Sequence, residues 1–408
     1  MSTPAPDTAS GNASGPDLLY SELEEDLRAS VRSMLADRSP HNAVLARCET
    51  DEPYDPAVWK ALAADLGCAG LAVPEKLGGA GASWREAAVV AEEVGRAVTP
   101  VPFLTGSVIA TAALLAAPAS ASADRADSAD GAGAESVAAL LADLAAGHAT
   151  AVLAVPFSSC PTPAGSGSGA GFPETVRVDA DGHLTGTVTS VADASIADVL
   201  LVPAMAASGP AFFAVGARAA GVTRDAVISL DLTRRLSDIT FASAPARRLA
   251  DADGAVQALA RGLTVGAALL ASEQLGVAQA CLDMSVAYLK TRSQFGRLIG
   301  SYQALKHRAA DLWAAIAQAR AVARYAAVCV AQDDPDTPVA VALAQAYCST
   351  VAVRAAEECV QFHGGIGFTW EHPAHLYLKR AKSASLALGT AAQHRAALGR
   401  LVNLPPAN

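Results

Sequence analysis

Apolar residues recur every three or four positions through the first third of the chain, and this spacing predicts amphipathic helices. The first three helices each carry a start signal, which is Ser21 with Glu24, Asp55 with Pro56, and Ser83 with Glu86. A fourth helix is predicted to begin near Thr105. The segment 117–134 predicts a polar surface loop, and residues 1–16 predict a disordered tail. Residues 17–148 are therefore expected to form a helical domain.

From about residue 149 the apolar pattern changes to the alternation that is typical of strands. Valines and leucines alternate on both sides of Asp181 and Gly182, a dipeptide that favours a tight hairpin. A Gly- and Ser-rich loop, 161–171, interrupts this region. Further strands are predicted at Val199–Val202, Phe212–Val215, Val227–Leu230 and Ile239–Phe241. Residues 149–248 are expected to form a compact β-sandwich or β-barrel.

Helical periodicity returns at about Asp251 and continues to Leu401. Four long helices are predicted, at Val256–Tyr288, Leu305–Gln332, Val339–Phe362 and Leu376–Leu401. Helices of this length suit a bundle. The sequence therefore predicts an α+β protein with a helical domain over 17–148, a β domain over 149–248 and a four-helix bundle over 249–408.

Composition and charge exclude several functional classes. The 408 residues are 52% hydrophobic and 17% charged, so the chain can bury a large core and is not globally disordered. Its net charge of -10, without a basic cluster, disfavours nucleic-acid binding. No unbroken apolar run reaches the roughly 20 residues that span a bilayer, and the first residues do not resemble a secretion signal. We therefore expect a cytoplasmic protein without a membrane span.

The cysteines and histidines do not form a recognisable metal or redox motif. The seven cysteines are scattered and contain no Cys-x-x-Cys pair, so buried reduced thiols are expected. His363, His372 and His375 lie near Glu371, but no second group of ligands completes a tetrahedral set. No metal site is predicted.

Four stretches carry a family resemblance. Arg292–Gly300 reads RSQFGRLIG and is followed by YQALKH, and Gln361–Thr369 reads QFHGGIGFT. Leu66–Gly81 reads LGCAGLAVPEKLGGAG, and Glu92–Arg96 reads EEVGR. In this order, these stretches resemble the acyl-CoA dehydrogenase family over nearly the whole chain after the tail. The resemblance implies that family's fold, with helical, β and helical-bundle domains.

The resemblance also implies an FAD site that neighbouring subunits share. Arg292 would bind the pyrophosphate, since a guanidinium forms directed, charge-assisted hydrogen bonds. Backbone N–H groups at Gly364 and Gly365 would approach the cofactor closely because no side chain intervenes. The other cofactor-binding residues that the resemblance implies are Ser293, Gln294, Tyr302, Gln303, Gln361, Gly389 and Thr390. The implied partners are an acyl-CoA substrate, an electron-transfer flavoprotein and further subunits of a homo- or hetero-oligomer.

The chain departs from the family pattern at the catalytic base. Family members use a carboxylate to remove the α-proton of an acyl-CoA thioester, at a Glu within a Tyr-Glu-Gly-Thr stretch. The matching residues 387–390 read ALGT, which puts Leu388 at the base position. A second family position for the base falls near Gly266, where no acid occurs between Thr264 and Ser272. A relocated base remains open as an alternative, with Glu273, Glu371 and Asp283 as candidates.

A second departure lies in the β domain. Where the family carries a Thr-Glu-Pro-x-x-Gly-Ser stretch against the flavin ring, residues 155–161 read VPFSSCP, and no tryptophan occurs between Trp84 and Trp313. The chain therefore resembles the base-lacking subunit of heteromeric dehydrogenases of steroid side-chain breakdown. The alternatives are a self-sufficient dehydrogenase with a relocated base and a flavin-free structural or acyl-CoA-binding homologue. Small residues such as Gly266 and Ala267 favour a bulky or branched acyl-CoA as the substrate.

Overall fold

Helices form the first and last parts of the chain, and strands form the middle. The structure is a computed structural model that describes residues 17–52, 54–117, 130–161 and 172–405. Its helices are α1 (Glu22–Arg38), α2 (His41–Cys48), α3 (Pro56–Lys60), α4 (Trp84–Ala97), α5 (Thr111–Ala116), α6 (Asp130–Ala145), α7 (Ala252–Thr291), α8 (Gln303–Gln332), α9 (Thr337–His363), α10 (Ala374–Ala384) and α11 (Ala391–Leu401). The predicted order of helical, β and helical regions is confirmed.

The predicted helix starts are confirmed by their capping hydrogen bonds. Capping boxes begin α1 and α4, because in each the serine and the glutamate bond to each other's backbone N–H. The Asp55 side chain accepts a hydrogen bond from the Ala57 N–H (2.8 Å) at the start of α3. The fourth predicted helix begins as a π-helical segment, Phe103–Ala110, that continues into α5. Within the predicted loop 117–134, residues 118–129 lie outside the described residues, and the chain is helical from Asp130.

The strands of the β domain form one mixed eight-stranded sheet. They are β1 (Ala151–Leu153), β2 (Val176–Val178), β3 (His183–Ala192), β4 (Val199–Ala206), β5 (Gly209–Gly216), β6 (Val222–Val227), β7 (Leu236–Pro245) and β8 (Arg247–Asp251). The order is β6-β7-β3-β2-β4-β5-β8, and β1 pairs in parallel with β4. The predicted hairpin at Asp181 joins β2 and β3. The predicted strand Val227–Leu230 is wrong, because β6 ends at Val227 and Ile228 is fully exposed.

The bundle is built around α7, a helix of 40 residues that packs against α4, α8 and α9. The predicted helix Leu376–Leu401 is wrong in its continuity, because a turn between α10 and α11 interrupts it. Asp251 still belongs to β8, so the bundle helices begin at Ala252.

All seven cysteines are free; six are buried, and Cys160 is partly exposed. The predicted tail 1–16 and residues 162–171 of the predicted Gly/Ser loop lie outside the described residues.

Three helices of the bundle are long and apolar enough, by length and composition, to cross a membrane. They are α7, α8, and α9 with the turn that follows it. The expectation from sequence rested on unbroken apolar runs, whereas these windows tolerate an occasional charged residue. In the fold, 72% of the window in α7, 44% in α8 and 67% in the third are buried inside the molecule. Packing therefore covers most of α7, while α8 leaves the largest uncovered share.

Two glycines allow α4 and α7 to pack with their backbones in close approach. A Cβ atom on Gly276 of α7 would overlap the Glu92 carbonyl oxygen of α4. A Cβ atom on Gly95 of α4 would overlap the Glu273 carbonyl oxygen of α7. This pair of contacts fixes the N-terminal domain against the central helix of the bundle.

We expect Gly276→Ala to destabilise the protein by about 1–3 kcal/mol, because the added methyl group must push α4 and α7 apart. Gly399→Ala is the matched control, since a Cβ atom at this position of α11 meets nothing within 4 Å. The control should be neutral or slightly stabilising, because alanine favours helix over glycine. Urea unfolding measures both. Equal stability of the two variants would contradict this account of the α4–α7 contact.

Candidate functional site

The turn between α10 and α11 holds Leu388 in a strained and buried position. Leu388 has a φ of +52° and is 1% exposed. Its N–H donates to the Phe157 carbonyl oxygen of the β domain (2.7 Å), and its own carbonyl oxygen lies 2.9 Å from His394 Nε2 of α11. A Cβ atom on Gly389 would lie 2.6 Å from Cys160 Sγ, so only glycine fits there. Both sides of the turn are therefore clamped by neighbouring elements.

The two positions where the family resemblance expects the base, Gly266 and Leu388, lie close together among apolar side chains. A Cβ atom on Gly266 would lie 2.6 Å from Ile109 Cγ1 and 3.3 Å from Leu388 Cδ1. A cavity of only about 20 Å³ remains beside Leu388, enough for about one water molecule. Its described lining is apolar apart from Thr105 and contains no carboxylate. Neither general-base chemistry nor a bound acyl group is supported at this point.

Glu273, a candidate for a relocated base, instead forms ion pairs with two buried arginines. Its carboxylate accepts hydrogen bonds from both Nη atoms of Arg234 (3.1 and 2.6 Å) and from Arg380 Nε (2.9 Å). Burial raises the pKa of Glu273, but the two guanidinium groups outweigh that effect and lower the pKa to about 2. A carboxylate that is fully hydrogen-bonded and so hard to protonate does not fit the role of a base.

The other two base candidates also lie away from Leu388. Glu371 is exposed at the surface after the glycine turn. Asp283 is 45% exposed and pairs with Arg96 (2.8 Å). Neither residue lines the small cavity at Leu388. The described residues therefore place none of the three candidates where the family resemblance expects the base.

Arg292 lies at the base of an exposed hairpin formed by β9 (Ser293–Gln294) and β10 (Arg297–Leu298). Its N–H donates to the Tyr288 carbonyl oxygen (2.9 Å), and its carbonyl oxygen accepts from the Ile299 N–H (2.8 Å). The Tyr302 hydroxyl donates to the Gln294 carbonyl oxygen (3.3 Å). Arg292, Ser293, Gln294 and Gln303 are all exposed. The hairpin thus presents these side chains outward, as a surface that a neighbouring molecule can reach.

The second predicted cofactor motif forms an exposed turn at the end of α9. Gly364 has φ +60° and ψ -137°, a conformation that only glycine adopts readily. Gly364 and Gly365 are exposed, and a Cβ atom on either would meet nothing within 4 Å. Gln361 is exposed in the last turn of the helix. The backbone here is therefore open to close approach by a ligand.

The structure brings the hairpin and the glycine turn to the same end of the bundle. A small buried cluster of Leu289, Ile299 and Phe362 joins the end of α7, the start of α8 and the end of α9. We call the exposed surface formed by the hairpin and the turn the outer wall. Gly389 and Thr390 belong instead to the Leu388 turn, where the Thr390 hydroxyl caps α11 by accepting from the Gln393 N–H (3.3 Å).

The two places that the resemblance assigns to FAD differ in how well they fit it. Between the β domain and the bundle, the Phe157–Leu388 hydrogen bond joins the two surfaces directly. A flavin ring at this place would have to break that bond and displace Leu388, so the residues there do not fit it. The outer wall, by contrast, offers an exposed guanidinium and open glycine backbone, which fit a dinucleotide pyrophosphate.

We call the place between the β domain and the bundle at Leu388 the inner space. Sequence reasoning missed the residues that close it. Ile109, Phe157 and His394 were not predicted to take part in a site. Helical spacing identifies Ile109 only as a core residue, and nothing local marks His394. The one available signal was the departure of residues 155–161 from the family pattern, because Phe157 lies in that stretch.

A larger cavity of about 600 Å³ lies on the other side of the Leu388 turn. Helices α5, α7, α9 and α11 line most of it with small apolar residues, and His394 connects it to the turn. Arg261 lies in the wall, where it pairs with Asp333 (2.7 Å) and donates to the Val330 carbonyl oxygen (2.8 Å). A cavity of this size can hold a small organic molecule.

Comparisons with known proteins agree with the motifs. The family model described as the acyl-CoA dehydrogenase C-terminal domain matches residues 252–402, and the N-terminal domain model matches residues 21–122. The chain is 36% identical to acyl-CoA dehydrogenase IpdE2 of Mycobacterium tuberculosis over 368 residues, which are 89% of this chain and 92% of that protein.

Two solved structures of paired chains are similar to this fold. The ChsE4–ChsE5 complex of Mycobacterium tuberculosis contains a chain that is 28% identical, with a TM-score of 0.81, and the match covers 96% of this chain and 100% of that one. A variant of the Tcur3481–Tcur3483 steroid ACAD is 30% identical with a TM-score of 0.77, and the match covers 94% and 98%.

We expect Glu273→Gln to destabilise the protein by about 3–5 kcal/mol, since it removes the buried negative charge that Arg234 and Arg380 share and leaves Arg380 with only the longer contact to Asp231 (3.5 Å). The folded-state pKa of about 2 lies below the ordinary value of 4.5. The stabilising contribution is therefore fully present above pH 4.5 and is lost as the pH falls from 4.5 towards 2. Asp283→Asn, at a half-exposed ion pair, is the control and should cost at most about 1 kcal/mol. Denaturant unfolding at several pH values measures both, and equal losses would contradict the assigned role.

Proposed function

Because the chain belongs to the acyl-CoA dehydrogenase family, we propose that it is the base-lacking subunit of a heteromeric acyl-CoA dehydrogenase. In this role it supplies part of a partner subunit's FAD site through the outer wall. The observation that carries the proposal is the closed inner space, where Leu388 donates a hydrogen bond to Phe157 and Ile109 and Leu388 leave no room for a Cβ atom on Gly266. An enzyme that performs the reaction alone needs a carboxylate there and room for its substrate.

The exposed apolar residues around the outer wall support a partner at this end of the bundle. Phe295 at the tip of the hairpin is 93% exposed, and Phe368 after the glycine turn is 80% exposed. Further along α8, the helix with the least-buried apolar window, Trp313 is also 63% exposed. Large apolar side chains that remain exposed in groups commonly mark association surfaces. A second dehydrogenase subunit would bury them.

Each residue of the outer wall has a defined part in this proposal. The Arg292 guanidinium binds the FAD pyrophosphate by charge-assisted hydrogen bonds. Backbone N–H groups at Gly364 and Gly365 approach the cofactor, and the Gln361 amide bonds beside them. Ser293, Gln294, Tyr302 and Gln303 complete the polar surface around Arg292. When bound, FAD would supply the acceptor for the hydride of the acyl-CoA β-carbon, and the partner would supply the base that removes the α-proton.

The similar solved structures support the heteromeric form and the class of substrate. Both are named as complexes or pairs of chains, and one is named a steroid ACAD. We therefore propose a bulky, steroid-derived acyl-CoA as the substrate of the complex. An electron-transfer flavoprotein would receive the electrons in the cytoplasm.

Purification of the chain alone, and together with the acyl-CoA dehydrogenase encoded nearest to it, tests the proposal. We expect no flavin absorbance in the lone chain and one FAD per pair of chains in the complex. Arg292→Ala should weaken FAD binding by the complex about 10- to 100-fold, as expected for loss of a charged hydrogen bond. Arg395→Ala, an exposed arginine on α11, is the control. A lone chain that holds one FAD and oxidises an acyl-CoA would refute the heteromeric role.

The relocated-base alternative makes an opposite prediction at Glu371. If the partner supplies the base, Glu371→Gln should leave the turnover of the complex within about twofold of the wild type. If Glu371 were the base, turnover should fall by at least about a hundredfold. Steady-state turnover of the purified complex distinguishes the two outcomes, with thermal unfolding as the check that the variant is folded.

A second candidate function is favoured by the 600 Å³ cavity. A flavin-free homologue that only binds an acyl-CoA would need such a cavity and no base. The same purification separates this possibility from the heteromeric dehydrogenase, because a complex with a flavin-free homologue would lack flavin as the lone chain does. Titration of the lone chain with octanoyl-CoA would then show binding by calorimetry.

A further inference from the structure

Three aromatic rings form a stacked column beneath the outer wall. The His363 imidazole lies between the Tyr288 ring, at a centroid distance of 4.6 Å, and the His372 ring, at 4.3 Å. The interplanar angles are 34° and 43°, so the rings are tilted but face one another. His363 is 5% exposed. The middle ring of the column is therefore buried, while Tyr288 and His372 at its two ends are partly exposed.

Each end of the column belongs to a different half of the outer wall. Tyr288 lies in the last turn of α7, and its carbonyl oxygen accepts the Arg292 N–H at the base of the hairpin (2.9 Å). His363 is the last residue of α9, directly before Gly364. His372 follows the glycine turn and precedes α10. Stacking of these rings thus links the hairpin to both ends of the turn.

Hydrogen bonds fix the orientation of both imidazoles. His363 Nδ1 lies 2.7 Å from the Cys359 carbonyl oxygen, and since a carbonyl only accepts, this nitrogen carries the proton. His372 Nδ1 accepts the Ala374 N–H (3.2 Å). The rings are therefore held by side-chain bonds as well as by stacking, and neither can rotate without losing a bond.

Two contacts join the halves of the outer wall from beneath, the apolar cluster of Leu289, Ile299 and Phe362 and the ring column, and neither half is rigid by itself. The hairpin strands have two residues each, and a lone hairpin of that kind is marginally stable. The glycine turn contains Gly364 and Gly365, which have no side chains to pack. A dinucleotide that contacts both halves requires them at a constant distance.

We propose that Tyr288, His363 and His372 are positioning residues that set the distance between the hairpin and the glycine turn. This inference rests on the proposed FAD role of the outer wall. None of the three rings needs to touch the cofactor. Their effect reaches it through Arg292, which follows Tyr288 by one helical turn, and through Gly364, which follows His363.

Two substitutions of His363 separate stacking from hydrogen bonding. His363→Phe keeps a ring in the column and loses the bond to Cys359, whereas His363→Asn keeps a donor and loses the ring. We expect the Asn variant of the co-purified complex to bind FAD about tenfold more weakly, and the Phe variant to stay within about threefold of the wild type. Tyr288→Leu should resemble the Asn variant, and Tyr288→Phe, which keeps the ring, should bind as the wild type does.

FAD affinity is measured by flavin fluorescence, and the thermal midpoint of the FAD-free complex is measured beside it. Weaker FAD binding at an unchanged midpoint supports a positioning role. The positioning role would be overturned if the Asn and Phe variants bound FAD equally well. It would also be overturned if FAD affinity fell only in variants whose thermal midpoint fell as well. A wild-type complex without FAD would refute the proposed function itself. A wild-type complex that contains FAD, with variants of the ring column that bind FAD as tightly, would refute only the positioning role.

Discussion

The arrangement of the three domains depends on the buried ion cluster at Glu273. This carboxylate on α7 binds Arg234, from the loop between β6 and β7, and Arg380 on α10. All three side chains are at most 2% exposed, so separating them would leave charges in an apolar interior. Because the Glu273 backbone also lies against Gly95 of α4, one residue joins the N-terminal domain, the β domain and the bundle.

The closed inner space follows from this junction. With the β domain held against α7 and α10, Phe157 reaches the backbone of Leu388, and Ile109 fills the space that a glycine at 266 leaves open. The same cluster occupies the carboxylate of Glu273, since both of its oxygens already accept hydrogen bonds. A residue that stabilises the fold in this way is unavailable for proton transfer. The proposed role in cofactor binding is therefore left to the outer wall.

Local signals in the sequence determined much of the architecture. Capping boxes at Ser21 and Ser83 specify helix starts because their hydrogen bonds join residues three apart. The order of helical and strand periodicity, and the spacing of the family motifs, determined the fold class and the outer wall's composition. The absence of an acid at 388 and 266 is also a property of the sequence alone. The break between α10 and α11 escaped prediction, because the helical pattern continues on both sides of it.

Only the tertiary structure decided what these residues do together. The sequence offered Glu273 as a base, and its two arginine partners, 39 and 107 positions away, exclude that role. Leu388, Phe157 and Ile109 meet through contacts that no local pattern encodes, and the same holds for the ring column of Tyr288, His363 and His372. The physical reason is that periodicity and caps report bonds within one element, whereas burial, ion pairing and stacking between elements arise only when the chain packs.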